Sequence, residues 1–251
     1  MQGEASPPPA TASTSPPASS TAPAPSAAAI SHPIGEAQSG PASASTAPLP
    51  ALDSSDASVA QALGALSSGH LASLLIPGQI IPRIVATIDV LPRQGLGTFI
   101  LPVHTAKGSL LTSQADGQTV IAAANAGRYA PYMRVVQSAD PQALVGWYVR
   151  EYPLFQSAYE QLGYPKGYFN DRLIEVIDNL LAAPDLAQPA PMVPVKAYYA
   201  YADPALESLS VGQKMLLRVG PANEAQIKSK LRAIRAALIE HKPAAAASSD
   251  Q

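Results

Sequence analysis

The 251 residues contain no cysteine, which excludes disulfides, thiolate nucleophiles and cysteine metal sites while fitting an oxidising compartment as readily as a reducing one. Histidine is scarce. His32, His70, His104 and His241 are far apart, and no pair has metal-ligand spacing, so neither a metal nor a cofactor is expected. Basic charge is missing from the first third, where the earliest Arg or Lys is Arg83. With Glu4, Glu36 and Asp250 set aside, 15 acidic and 16 basic residues remain, a near balance that offers nucleic acid no attracting field. No stretch approaches the roughly 20 apolar residues of a membrane helix; residues 80–91 are broken by Pro82, Arg83 and Asp89. The first residues lack the basic-then-apolar order of a signal peptide. Gly95-Leu96-Gly97 lacks the third glycine of a dinucleotide fingerprint, and neither a phosphate loop nor a Gly-x-Ser-x-Gly elbow occurs.

What the chain has in excess sits at its two extremes. Of the first 50 residues, 38 are Pro, Ala, Ser or Thr, a composition without the branched and aromatic side chains whose burial offsets chain entropy. Residues 1–51 therefore read as a disordered spacer able to extend on the order of 150 Å at about 3.1 Å per residue. Residues 52–242 form the expected folded domain, long enough for one well-buried core, and residues 243–251 a disordered tail.

The domain reads as mainly α with a small β element, a hairpin or three strands. Ser55 or Asp56 is placed to cap a helix through Val59, Leu63 and Leu66, with a short second helix through Leu71, Leu74 and Leu75. A third runs from Ile81 to Leu91, with Pro82 near its first turn and Pro92 as its stop. Asp116-Gly117 predicts a hairpin between residues 109–113 and 118–122. Helical spacing returns at residues 125–136, then after the Asp140-Pro141 start, which opens a long helix to Leu162. Asn170 is the expected cap of a helix carrying Leu173, Ile177, Leu180 and Leu181. Residues 195–201 read as a strand able to join the hairpin. Ser210 with Gln213, and Asn223 with Gln226, carry the capping-box pattern. The last helix is expected to bury Ile227, Leu231, Ile234 and Leu238 and to leave Lys228, Arg232 and Arg235 on a solvated basic face.

The most specific region is aromatic. Thirteen of the fourteen aromatic residues lie between Tyr129 and Tyr201, interleaved with arginines and carboxylates. Here the strings Arg128-Tyr129-Ala130-Pro131-Tyr132, Tyr152-Pro153-Leu154-Phe155-Gln156, Leu162-Gly163-Tyr164-Pro165, Gly167-Tyr168-Phe169-Asn170-Asp171-Arg172 and Ala202-Asp203-Pro204 resemble a proteobacterial family, domain of unknown function three thousand and fourteen. Gly212-Gln213-Lys214 and Lys230-Leu231-Arg232 continue the resemblance, which spans residues 53–238. It implies an envelope protein with an N-terminal membrane helix, a Pro-rich spacer and this periplasm-facing domain; this chain departs from that pattern in lacking the helix. The resemblance implies no activity.

The candidate site is Arg128, Tyr129, Tyr132, Tyr148, Arg150, Tyr164, Tyr168, Asn170, Asp171 and Arg172. Tyrosine and arginine concentrate at interaction hot spots, but they also build cores in which each hydroxyl finds a partner. Both accounts fit these residues. The leading expectation is a non-enzymatic envelope domain that binds an unidentified protein. An alternative is glycan or peptidoglycan binding through Tyr129, Tyr132, Tyr148, Tyr164 and Tyr168 flanked by Arg128 and Arg150. A third reading, a hydrolase, uses the helical face of Asp171, Glu175 and Asp178, where burial would have to force two carboxylates apart. No catalytic residue is assigned.

Overall fold

A computed structural model of the chain describes residues 30–34, 48–94, 101–196 and 198–240. Most of the Pro/Ala/Ser-rich spacer, the Gly95-Leu96-Gly97 stretch and the C-terminal tail lie outside the described residues. Among the described residues, eight α-helices and two antiparallel two-stranded sheets follow in the order α1 (Asp56–Leu66), α2 (Ile80–Val90), β1 (Thr112–Ala115), β2 (Gln118–Ile121), α3 (Ala130–Ser138), α4 (Pro141–Gln161), α5 (Phe169–Leu181), β3 (Met192–Val195), β4 (Tyr198–Tyr201), α6 (Pro204–Glu207), α7 (Val211–Val219) and α8 (Pro221–Glu240). The domain is thus mainly α with small β elements, as the periodicity implies.

Local chemistry explains most of the boundaries. Asp140 accepts a hydrogen bond from the Ala143 amide at 2.7 Å and Pro141 occupies the first helical turn, where its missing N–H costs nothing. Ser210 and Gln213 close a reciprocal capping box at the start of α7. Asp116 and Gly117 take the left-handed conformation between β1 and β2, φ 50° and 74°, which is the turn that matches strand twist.

Four expectations are corrected. The second short helix is a run of turns at residues 67–74, because Ser68 and Gly69 at positive φ break the helical path. Of the two expected caps of α1, Ser55 takes the N-cap position without a side-chain cap bond, and Asp56 caps α2 instead: its two oxygens accept the Gln79 and Ile80 amides, each at 2.7 Å. The strand expected at residues 195–201 does not join the first hairpin: Val195 ends β3, Tyr198–Tyr201 form β4, the two pair with each other, and a bridge from Val120 to Pro191 links the two hairpins. Asn223 lies inside α8, its amide donating to the Val219 carbonyl at 2.9 Å, so the second capping box is not made.

α4 is the spine. It packs against α2, α5 and α8, and α1 against α2. Ile80, Ile81, Val85, Val145, Phe155, Phe169 and Ile177 meet in one core. A smaller core forms where Met192, Tyr201 and Leu217 join the second hairpin to α7. Lys228 is another correction. On α8 it points inward, 2% exposed, where its Nζ meets Glu224 at 2.8 Å, Asp185 at 2.7 Å and the Ala183 carbonyl at 2.6 Å. Burial would lower the ammonium, but the hydrogen bonds to Asp185 and Glu224 outweigh it and hold it above its ordinary value. Arg235 is also spent, gripping Asp178 of α5 with Nη2 at 3.0 Å.

Candidate functional site

The structure divides the aromatic cluster into three parts. Arg128 is architectural: its guanidinium donates to the Lys107, Ala106 and Gly108 carbonyls and to Asn125 Oδ1. Tyr129 lies beneath that guanidinium, 5.7 Å from ring centre to Cζ, and Tyr132 donates its hydroxyl to the His104 carbonyl at 2.6 Å. These three organise the loop before β1. Arg150 turns to its neighbour Glu151 at 2.9 Å.

Tyr148 belongs to the core. Its ring meets Phe155 edge-on at 5.1 Å, while Phe155 and Phe169 stack at 5.8 Å. Its hydroxyl donates to Asn170 Oδ1 at 3.3 Å. Burial, and then the neighbouring Tyr152 and Tyr168, pushes this phenol well above its ordinary value; burial also raises Tyr152. Below about pH 10 both folded and unfolded chains carry neutral phenols, whereas above it the unfolded chain ionises first and the folded one resists. Stability should therefore hold to about pH 9 and fall steadily as pH rises beyond 10. A tyrosinate absorbance titration should show a late wave coincident with unfolding. A single wave of all ten tyrosines near their ordinary value, with the fold intact, would contradict this.

The third part is a cleft of about 610 Å³ between the ends of α2, α4 and α5, lined by Asp89, Tyr159, Tyr164, Tyr168, Asp171 and Arg172 among others. The loop joining α4 to α5 makes its rim. Gln156 fixes that loop, donating to the Gly167 carbonyl at 2.8 Å and accepting the orphan Phe169 amide at 2.9 Å. Gly167 lies under the stacked rings of Tyr159 and Tyr164, whose centroids are 4.6 Å apart; a Cβ there would stand 2.7 Å from Tyr159. Asp89 anchors the floor. Only 5% exposed, it pairs with Arg93 and with Arg172 at 3.1 Å and accepts the Tyr164 hydroxyl at 3.2 Å. Arg172 also meets Glu175 at 2.9 Å.

Asn170 does not cap α5; Tyr168 holds that position. Instead Tyr168, Asn170 and Asp171 hold a piece of the spacer. Asp171 accepts the Ser31 amide at 2.9 Å and the His32 amide at 2.7 Å, Asn170 donates to the His32 carbonyl at 2.8 Å, and the Tyr168 hydroxyl accepts the Ile34 amide at 2.6 Å. Pro33, the residue between, has no N–H to place. Every main-chain donor from residue 31 to 34 is thus used. Ile34 packs against the main core and Ile30 borders the cleft.

Sequence reasoning missed this segment because it lies in a stretch of low complexity. Its signal was local: Ile30 and Ile34 are the only isoleucines of the spacer and flank its only histidine. Asp89 was also missed as a site residue, although a lone carboxylate within an apolar helix, four residues before Arg93, is a signature of a buried pair. The three carboxylates of α5 do not form a pair. Asp171 holds backbone amides, Glu175 meets Arg172 and Asp178 meets Arg235. Tyr129 and Tyr164 line different clefts, and no group of three or more possible metal ligands occurs among the described residues.

These features define a mainly helical domain with two small hairpins and an aromatic-rimmed cleft beside which residues 31–34 are hydrogen-bonded to the first turn of α5. The chain belongs to the family described as protein of unknown function, DUF3014, whose pattern matches residues 80–235. No curated protein and no solved structure matches it. Among the described residues no helix is long and apolar enough to cross a membrane.

Proposed function

We propose that this chain is a non-enzymatic interaction module of the bacterial envelope, displayed on its Pro/Ala/Ser-rich spacer, which binds another protein by holding an extended peptide strand against the first turn of α5. The observation that carries this reading is the use of Asp171, Asn170 and Tyr168 on main-chain groups of residues 31–34 rather than on side chains. Main-chain hydrogen bonds supply affinity for any extended strand, and flanking apolar sockets supply selectivity. Ile34, packed against the main core, fills such a socket, while Ile30 stays exposed at the cleft edge. A proline between them restricts the preceding residue to extended backbone and lowers the entropy lost on binding. The resident segment then competes with an incoming strand.

The test uses the full chain and a fluorescent peptide of residues 28–36. A chain carrying Ser31→Pro and Ile34→Pro, whose own segment has lost two donors, should bind the peptide at least about tenfold tighter than the parent. Adding Asp171→Ala removes the acceptor of two charge-assisted hydrogen bonds and should weaken binding by about tenfold or more. Circular dichroism verifies the fold of each variant. Equal affinity with and without Asp171, or no binding to the proline-blocked chain at millimolar peptide, sinks the reading.

A further inference from the structure

The two isoleucines of the held segment are used very differently. Ile34 packs against the main core, whereas Ile30 is 54% exposed at the edge of the 610 Å³ cleft, whose space it does not fill. The surfaces open to that space are aromatic and apolar: Tyr164 and Tyr168 are half-buried and Pro165 is exposed. Both rings are fixed. The Tyr164 hydroxyl donates to Asp89 and accepts from Arg93 at 2.9 Å, its ring stacks on the buried Tyr159, and the Tyr168 hydroxyl accepts the Ile34 amide. Walls held this way lose little freedom when a side chain settles against them.

The charges around the cleft cancel. Asp89 is paired with Arg93 and Arg172, Glu175 shares Arg172, and Asp171 is spent on the Ser31 and His32 amides. Lys166 is exposed and has no ion pair among the described residues. Three carboxylates thus stand against three cations. An ionised side chain entering here would give up hydration with no net field to replace it, so the cleft suits a neutral one.

A strand from another protein must also displace a segment of this same chain. Tethering gives the resident segment an effective concentration on the order of millimolar, and a strand offering only the same main-chain bonds has no advantage over it. The cleft supplies one. Resting on the strand-holding role proposed above, we infer that the partner strand carries an aromatic side chain at the position of Ile30, followed by two residues, a proline and an aliphatic residue. The ring lies in the cleft against Tyr164, Pro165 and Tyr168. Aromatic side chains bury roughly 150–250 Å² and gain further from offset or edge contacts with other rings.

Peptides of residues 28–36 with single changes, titrated into the full chain carrying Ser31→Pro and Ile34→Pro, test the assignment. The Ile30→Trp peptide should bind at least about tenfold tighter than the parent peptide, and Ile30→Ala should stay within about threefold of it because Ile30 is half-exposed. Ile30→Glu and Ile30→Lys should both gain nothing. Tyr164→Leu in the protein should remove most of the tryptophan gain while the parent peptide, held by the first turn of α5, binds as before and so reports an intact site. If the parent peptide binds but tryptophan gives no gain, if its gain survives Tyr164→Leu, or if either charged peptide matches it, the aromatic assignment falls and the strand-holding role stands. If the parent peptide itself fails to bind, both fall.

Discussion

A chain carrying Phe169→Ala should unfold about 3–5 kcal/mol more easily than the parent, the range found when a large core aromatic is truncated. Phe169 is 0% exposed and touches Phe155 face to face, with Tyr148 and Tyr159 tilted against its edges at 6.4 and 5.4 Å. Alanine leaves a hole whose walls are rings held by three different turns of α4, so the site cannot collapse cheaply. Because Phe169 is also the first residue of α5, the loss reaches the neighbouring cleft. In urea titrations the midpoint should drop by a large fraction of a domain stability of about 5–15 kcal/mol, with the slope unchanged. The Ser31 and His32 amides should exchange with solvent faster than in the parent. A loss below about 1 kcal/mol would mean that the aromatic cluster is loosely packed.

Lys228→Ala should cost about 3–5 kcal/mol for a different reason. Glu224, 4% exposed in its side chain, would be left as a buried anion without its cation, and breaking a buried pair costs more than never having built it. The paired replacement Lys228→Met with Glu224→Gln should recover much of that loss, since it removes both charges and keeps the volume. Urea midpoints at pH 7 for the three chains separate these terms. A Lys228→Ala deficit that is not relieved in the double variant would show the aliphatic stem of the lysine to be what matters.

Much of the fold was legible because it is written in short-range chemistry. Asp140-Pro141, Ser210 with Gln213 and Asp116-Gly117 each satisfy backbone groups within four residues, so the sequence names both partners. Asp56 shows where that logic stops. It looks like a cap for its own helix, but its oxygens serve amides more than twenty residues away. The same separation hid the roles of the site residues. Arg128, Tyr132 and Tyr148 carry the residue types of a recognition surface, yet their hydrogen bonds go to the residue 106–108 carbonyls, the His104 carbonyl and Asn170 of this same chain. Tyr164 and Arg172 spend their polar groups on Asp89. Among the described residues, Tyr168, Asn170 and Asp171 are the members of the cluster that hydrogen-bond the spacer.

Composition, periodicity and capping patterns by themselves determined a mainly helical domain behind a Pro/Ala/Ser-rich stretch, with a hairpin at Asp116-Gly117 and an aromatic concentration from Tyr129 onward. Each of those properties depends on neighbours close in the chain. Only the tertiary structure decided that Lys228 is buried, that the α5 carboxylates serve three separate partners, and that residues 31–34 lie on Tyr168, Asn170 and Asp171. Those outcomes depend on which distant groups meet, and a buried charge or an extended strand takes its role from the partner that satisfies it rather than from its own identity.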